Sequence, residues 1–227
     1  MTHGWTGVPD YTLYLVTDSG LSRGRPVVRI VEAALRGGVT VVQYRQKAGT
    51  TREMIEEARD IRRLCAGAGV PFIVNDRLDV ALAVDADGVH VGQDDLPAAI
   101  ARRLIGPGRI LGVSAGSPEE ARRAQAEGAD YVGASPVFST PTKPDAPPAL
   151  GVQGLRRLAA AVRIPVVAIG GMNAENAAAM VGAGAAGVAV VSAIVAAEDV
   201  EAAARGIRRA LETARQRPLA AAKEVRT

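Results

Sequence analysis

The sequence predicts an α/β fold of one architecture, a (β/α)8 TIM barrel with a closed, parallel, eight-stranded sheet. Three observations predict it. Eight short runs rich in Val, Ile and Leu recur, at 13–17, 39–44, 72–75, 88–91, 110–113, 131–134, 166–169 and 187–191. Their starts are spaced by about 25 residues on average, the length of one strand–helix unit of a parallel sheet. Several runs are continuously apolar, as strands covered on both faces require. A chain of 227 residues accommodates eight such units in one domain.

The first run, Leu13–Thr17, leads into Asp18-Ser19-Gly20 rather than the G-x-G-x-x-G of a dinucleotide-binding open sheet. The doubly wound alternative therefore lacks its usual signature, and no phosphate loop of the G-x-x-x-x-G-K-[ST] type is present. After Val39–Tyr44 comes Thr51–Ala68, where Met54, Ile55, Ala58, Ile61 and Leu64 form one apolar helical stripe. Ser117–Glu127 opens Ser-Pro-Glu-Glu, with a capping serine, an early proline and acids at the positive end of the helix dipole. Asp199–Thr213 is a further amphipathic helix. The barrel is expected to occupy 1–214, followed by a basic, flexible tail over 215–227.

Composition excludes several function classes. Apolar residues make up 48% and aromatics only 3%, so the core is built from Ala, Val, Leu and Ile. One Cys excludes an internal disulfide framework and a Cys-rich zinc site, and two His leave little for a His-based metal centre. The net charge of +3 is uneven: residues 203–227 carry seven Arg or Lys and two Glu, so the body is slightly acidic. Without a basic face and stacking aromatics, no nucleic-acid partner is expected. No apolar run reaches about 18 residues, so no membrane partner is expected either. The opening MTHGWTGVPDYT lacks the basic-then-apolar pattern of a secretory signal, and a cytoplasmic location is expected.

In such a barrel the chemistry sits where strands end. The second run ends in Gln43-Tyr44-Arg45-Gln46-Lys47, and the alternate residues Gln43, Arg45 and Lys47 suit a phosphate-rich ligand. The third and fourth end in Asn75-Asp76 and Gln93-Asp94-Asp95. Carboxylates from adjacent strands suit Mg²⁺; Asp76 and Asp95 are equally placed to cap the helices after them. Ser114 comes after the fifth run with no His close in sequence, so it is read as a hydrogen-bonding residue rather than a nucleophile. Thr140, Thr142 and Lys143 lie on a Pro-rich loop placed to close over a charged substrate. Ile169-Gly170-Gly171 and Val191-Ser192 come after the last two strands, the usual phosphate end of the barrel. Cys65 and His90 are read as packed residues.

Seven short segments, in order, resemble the thiamine-phosphate synthase family. They are Gln-x-Arg-x-Lys, Val-Asn-Asp, Gly-Val-His-Val-Gly-Gln-Asp-Asp, Gly-Val-Ser, Pro-Val-Phe-x-Thr-x-Thr-Lys, Ile-Gly-Gly and Val-Val-Ser-Ala-Ile. The match runs from about Leu13 to Arg205. The resemblance implies a (β/α)8 barrel joining 4-amino-5-hydroxymethyl-2-methylpyrimidine diphosphate to a thiazole ethyl phosphate. The products would be thiamine phosphate and pyrophosphate, formed by a dissociative, Mg²⁺-assisted substitution. By the same resemblance, Gln43, Arg45, Lys47, Asn75, Ser114 and Lys143 hold the pyrimidine diphosphate, and Asp76 and Asp95 bind Mg²⁺. Thr140, Thr142, Gly171, Val191 and Ser192 hold the thiazole phosphate. Arg45, Lys47, Lys143 and Ser114 would be the catalytic group, and Asp94 a bystander. Family members often carry His shortly after the fifth-strand serine; here the residues are Ala115 and Gly116.

Two other readings compete. A thiazole tautomerase on a similar barrel needs no metal and no diphosphate grip, and favours a His for proton transfer. A barrel that only binds a phosphorylated metabolite needs no turnover at all.

Overall fold

The computed structural model describes residues 8–140 and 148–216. The eight expected runs become β1 (Leu13–Val16), β2 (Val41–Tyr44), β3 (Phe72–Asn75), β4 (Gly88–Val91), β5 (Ile110–Ala115), β6 (Tyr131–Ala134), β7 (Val166–Ile169) and β8 (Gly187–Val190). All pair parallel, in chain order, and β1 closes on β8 through Leu13 opposite Val188. The bounds shift slightly from those expected. Thr40 falls before β2 because its hydroxyl accepts from the Leu13 amide at 3.0 Å, which puts a side chain where a ladder bond would be. Thr17 and Val191 fall just outside β1 and β8, and β5 runs on through Ala115.

The helices are α1 (Val27–Arg36), α2 (Thr51–Ala68), α3 (Leu78–Ala83), α4 (Ala98–Ile105), α5 (Pro118–Ala126), α6 (Gly151–Ala160), α7 (Ala177–Gly182), α8 (Ser192–Val195) and α9 (Val200–Gln216). A capping box starts α2: the Thr50 hydroxyl accepts from the Glu53 amide while Glu53 reaches back to the Thr50 amide at 2.7 Å. Ser117 caps α5 as expected, accepting from the Glu120 amide at 3.1 Å. Helix α9 passes residue 214 and includes the first two residues of the expected tail, with Arg215 donating to the Ala186 carbonyl. The rest of that tail, 217–227, lies outside the described residues.

Alternation along each strand splits the core in two. Leu13, Leu15, Phe72, Val74 and Leu111 point outward, against helix residues such as Ile30, Ile61, Leu155 and Leu211. Tyr14, Val16, Val41, Ile73, Tyr131 and Val167 point inward and fill the barrel. Burying each large aliphatic side chain contributes roughly 1.5–3 kcal/mol, and the outer layer holds most of them. Bulk inside the barrel is offset by glycine. A methyl on Gly112 would overlap the Tyr131 ring, and one on Gly133 would stand 3.2 Å from the His90 ring. No helix among the described residues is long and apolar enough to cross a membrane.

Candidate active site

A cavity of about 340 Å³ opens at the C-terminal ends of the strands. At one side, β2 to β5 supply Gln43, Arg45, Lys47, Asn75, Asp76 and Ser114. At the other, β6 to β8 and their loops supply Thr140, Gly170, Gly171, Val191 and Ser192. The structure thus gathers the described candidates around one space. Thr142 and Lys143 lie outside the described residues.

Both cations are held by carboxylates. The Arg45 guanidinium donates to Asp18 Oδ2 at 2.6 Å, and Lys47 donates to Asp76 Oδ2 at 2.8 Å. Thr17 adds a second brace, its hydroxyl accepting from the Arg45 amide at 2.9 Å. Asp18, just past β1, did not stand out in the sequence as a partner of Arg45.

The helix-capping alternative for the two aspartates does not hold. Helix α3 is flanked by Arg77 with no side-chain cap, because Asp76 turns into the left-handed region at φ 58° and donates its amide to the His90 carbonyl at 2.8 Å. Asparagine and aspartate tolerate that conformation better than most residues. Helix α4 starts after Pro97, too far along for Asp95, whose carboxylate folds back onto the Gly92 amide at 2.8 Å. Both residues therefore line the cavity, close enough for Asp76 to act on the Asp95 carboxyl. Burial first, and then Asp76, push the Asp95 carboxyl above the usual carboxylate range. Such a pair favours a proton or a cation nearby, and the Lys47 ammonium already supplies one charge at Asp76. Two carboxylates from adjacent strand ends, with room for water and phosphate oxygens, suit a hard octahedral cation. Among the described residues no third His, Cys, Asp or Glu joins them.

The loop after β7 is shaped by two glycines. Gly170 and Gly171 have φ of 101° and 66°, and a Cβ on either would stand under 3 Å from Pro136 or Phe138. The loop after β6 therefore packs directly on them, bringing Thr140 over the cavity. Asn176, which the sequence did not single out, donates to the Gly171 carbonyl at 2.8 Å and pins the loop.

The cavity floor carries a continuous hydrogen-bond chain. Gln43 Nε2 donates to the Tyr14 hydroxyl at 2.9 Å, and the hydroxyls of Tyr14 and Tyr131 lie 2.7 Å apart. The Tyr131 hydroxyl meets His90 Nδ1 at 2.8 Å, and His90 Nε2 meets Ser114 Oγ at 2.9 Å. His90 is buried, as expected, but it is not merely packed. Ser114 does have a His partner, brought in by the neighbouring strand rather than by sequence. One of the arguments against a tautomerase therefore falls, while the cations and carboxylates still weigh against it. Burial pulls the His90 pKa down to about 4, so the ring is neutral near pH 7 and a poor acid. Burial likewise raises the Tyr14 and Tyr131 phenols well above their usual value.

A closed parallel barrel with cations, paired carboxylates and glycine loops at its strand ends defines an enzyme of phosphorylated substrates. The chain belongs to the thiamine monophosphate synthase family, whose model matches residues 13–194. It is 58% identical over 212 residues to the thiamine-phosphate synthase of Chloroflexus aurantiacus, covering 93% of this chain and 98% of that one. It is 52% identical over 208 residues to that of Moorella thermoacetica, covering 92% and 99%. Among solved structures, thiamine phosphate pyrophosphorylase from Pyrococcus furiosus superposes with a TM-score of 0.84 at 45% identity, covering 91% of this chain and 98% of that one. The protein is accordingly a transferase that couples a pyrimidine and a thiazole moiety to make thiamine phosphate.

Proposed function

We propose that the two halves of the cavity divide the two substrates. Gln43, Arg45, Lys47, Asn75 and Ser114 take the pyrimidine diphosphate, with Lys143 of the Pro-rich loop. Thr140, Thr142, Gly171, Val191 and Ser192 take the thiazole phosphate. The observation that carries this reading is the placement of Lys47, Asp76 and Asp95 at one side of the cavity and the glycine loop of Gly170 and Gly171 at the other. A diphosphate needs cations, and a monophosphate is well served by backbone amides.

Asp76 and Asp95 would hold Mg²⁺, with Asp94 a bystander. Bound there, Mg²⁺ would neutralise diphosphate oxygens and make pyrophosphate a better leaving group. Arg45, Lys47 and Lys143 stabilise charge as the bond from the pyrimidine methylene to pyrophosphate breaks. The electron pair leaves with pyrophosphate, and a pyrimidine-methyl cation remains. The thiazole nitrogen supplies its own pair to that carbon, forming the new bond and thiamine phosphate. Neither step needs a proton from the protein, in keeping with a neutral His90 as the only described imidazole. Gln43 and Ser114 keep the pyrimidine aligned with the incoming nitrogen. Because both substrates are phosphorylated and do not cross membranes unaided, the reading puts the protein in the cytoplasm.

The test is a product assay with both phosphorylated heterocycles, with and without Mg²⁺. Mg²⁺-dependent release of thiamine phosphate and pyrophosphate is expected. Equal turnover after exhaustive chelation would remove the metal from the reading. Isomerised thiazole phosphate without coupling would favour the tautomerase.

A further inference from the structure

We infer that Tyr14, Tyr131 and His90 form a positioning relay that fixes Gln43 as acceptor and Ser114 as donor toward an aminopyrimidine edge. This rests on the reading that Gln43 and Ser114 hold the pyrimidine. The three relay residues are not placed against either phosphate group. They lie beneath the cavity and join two side chains that stand on β2 and β5, across the barrel.

Counting hydrogens sets the direction of the relay. The Gln43 amide donates to the Tyr14 oxygen, so Tyr14 has its own hydrogen to give to Tyr131. Tyr131 in turn gives its hydrogen to His90 Nδ1. A neutral imidazole has one N–H, which then resides on Nε2 and points at Ser114 Oγ. The Ser114 hydrogen is left for the cavity.

With Gln43 Nε2 turned to Tyr14, the opposite direction leaves a donor unmatched. If Ser114 donated to His90, each later group would donate back along the chain, and Tyr14 would accept from both Gln43 and Tyr131. The Tyr14 hydrogen would then have no acceptor among the described residues, although Tyr14 is only 1% exposed. The Tyr11 hydroxyl does not rescue it, because it is buried without a hydrogen-bond partner. Leaving a buried donor unsatisfied costs more than a typical bond contributes, so one direction prevails.

The consequence is a polarity match. With Nε2 committed to Tyr14, Gln43 offers its Oε1 to the cavity, and Ser114 offers O–H. A 4-aminopyrimidine presents an N–H donor beside a ring-nitrogen acceptor, which is the complementary pair. The 4-oxo analogue presents an acceptor beside a ring N–H, which is mismatched at both positions. Sites that hydrogen-bond their substrate reject such analogues strongly.

The test uses Tyr131→Phe, which keeps the ring and removes the relay's middle link. Steady-state kinetics are run with the 4-amino and 4-oxo pyrimidine diphosphates. We expect KM for the amino substrate to rise about tenfold, and its preference over the oxo analogue to fall by at least as much. With His90 no longer held by a donor, Ser114 is free to accept. The KM for the thiazole phosphate should stay within about twofold, which a merely loosened fold would not respect. Tyr14→Phe, which strips Gln43 of its partner, gives the same readout should the first variant fail to fold. Ser114→Ala runs in parallel. If it raises the pyrimidine KM while both phenol variants keep the full amino preference, the relay is overturned and the pyrimidine site stands. If Ser114→Ala leaves the pyrimidine KM unchanged, the site reading falls and the relay with it.

Discussion

Lys47 Nζ lies 2.8 Å from Asp76 Oδ2, which joins a side chain proposed to meet phosphate with one proposed to hold the metal. Lys47 is largely exposed, while Asp76 is only 19% exposed. An exposed pair of this kind contributes little to stability. It ties the two side chains together at the cavity wall.

Asp76→Asn should therefore separate activity from folding. Asparagine accepts the left-handed backbone of residue 76, whereas alanine would add strain there. Turnover should fall roughly 10²–10³-fold, with the melting temperature within a few degrees of wild type. Product formation across an Mg²⁺ titration, with a thermal melt, checks both. Undiminished Mg²⁺-dependent turnover would remove Asp76 from the metal site. Asp94→Ala should be mild, and a loss equal to that of Asp95→Ala would make Asp94 a metal ligand rather than a bystander.

Asp18→Asn probes the brace on Arg45. The two groups are partly buried, with Arg45 at 20% and Asp18 at 17% exposure, so the guanidinium is well fixed. Without the charge, KM for the pyrimidine diphosphate should rise about tenfold with a smaller effect on the thiazole phosphate. Equal effects on both substrates would mean that Asp18 supports the barrel rather than Arg45.

Gly112→Ala should be destabilising for a steric reason alone. The added methyl meets the Tyr131 ring, which is buried and hydrogen-bonded through its hydroxyl. Overpacking of this kind costs about 1–3 kcal/mol, read as a fall of several degrees in melting temperature. An unchanged melt would show that the ring has room to move.

Cys65 should be inert in the folded protein. It is fully buried on α2, and burial pushes its thiol up to about 12. The fold favours the protonated form, so this preference is intact below the thiol's ordinary value of 9.0 and is lost as pH rises through about 12. A thiol-alkylating reagent at pH 8 should label the protein only in denaturant. Rapid labelling of the native protein would mean that α2 opens readily from the barrel.

Much of the fold is legible in the sequence because it is local. Strands β3, β4, β6 and β7 fall on the expected ranges, since a run buried on both faces has no reason to extend into polar flanks. Gln43, Asn75 and Ser114 are marked as candidates by their place at the end of an apolar run. The features that stay hidden depend on register across the barrel. Ser114 and His90 are 24 positions apart and Tyr14 and Tyr131 are 117 apart, yet each pair meets inside. The left-handed turn at Asp76 is likewise invisible in the sequence, so capping and metal binding look equivalent there. Asp18 and Asn176 escape because nothing in their neighbours marks them as braces.

The alternation within each strand has a genetic consequence. In β3, Ile73 and Asn75 face inward while Phe72 and Val74 face the helices. Four residues thus serve both structure and chemistry, with parity alone deciding which. Deleting one codon inside β3 would exchange the two sets at once. The same deletion in a surface loop would shorten a connection and exchange nothing. Length changes along this gene should therefore be tolerated in a comb-like pattern, with about eight intolerant teeth set by the strands.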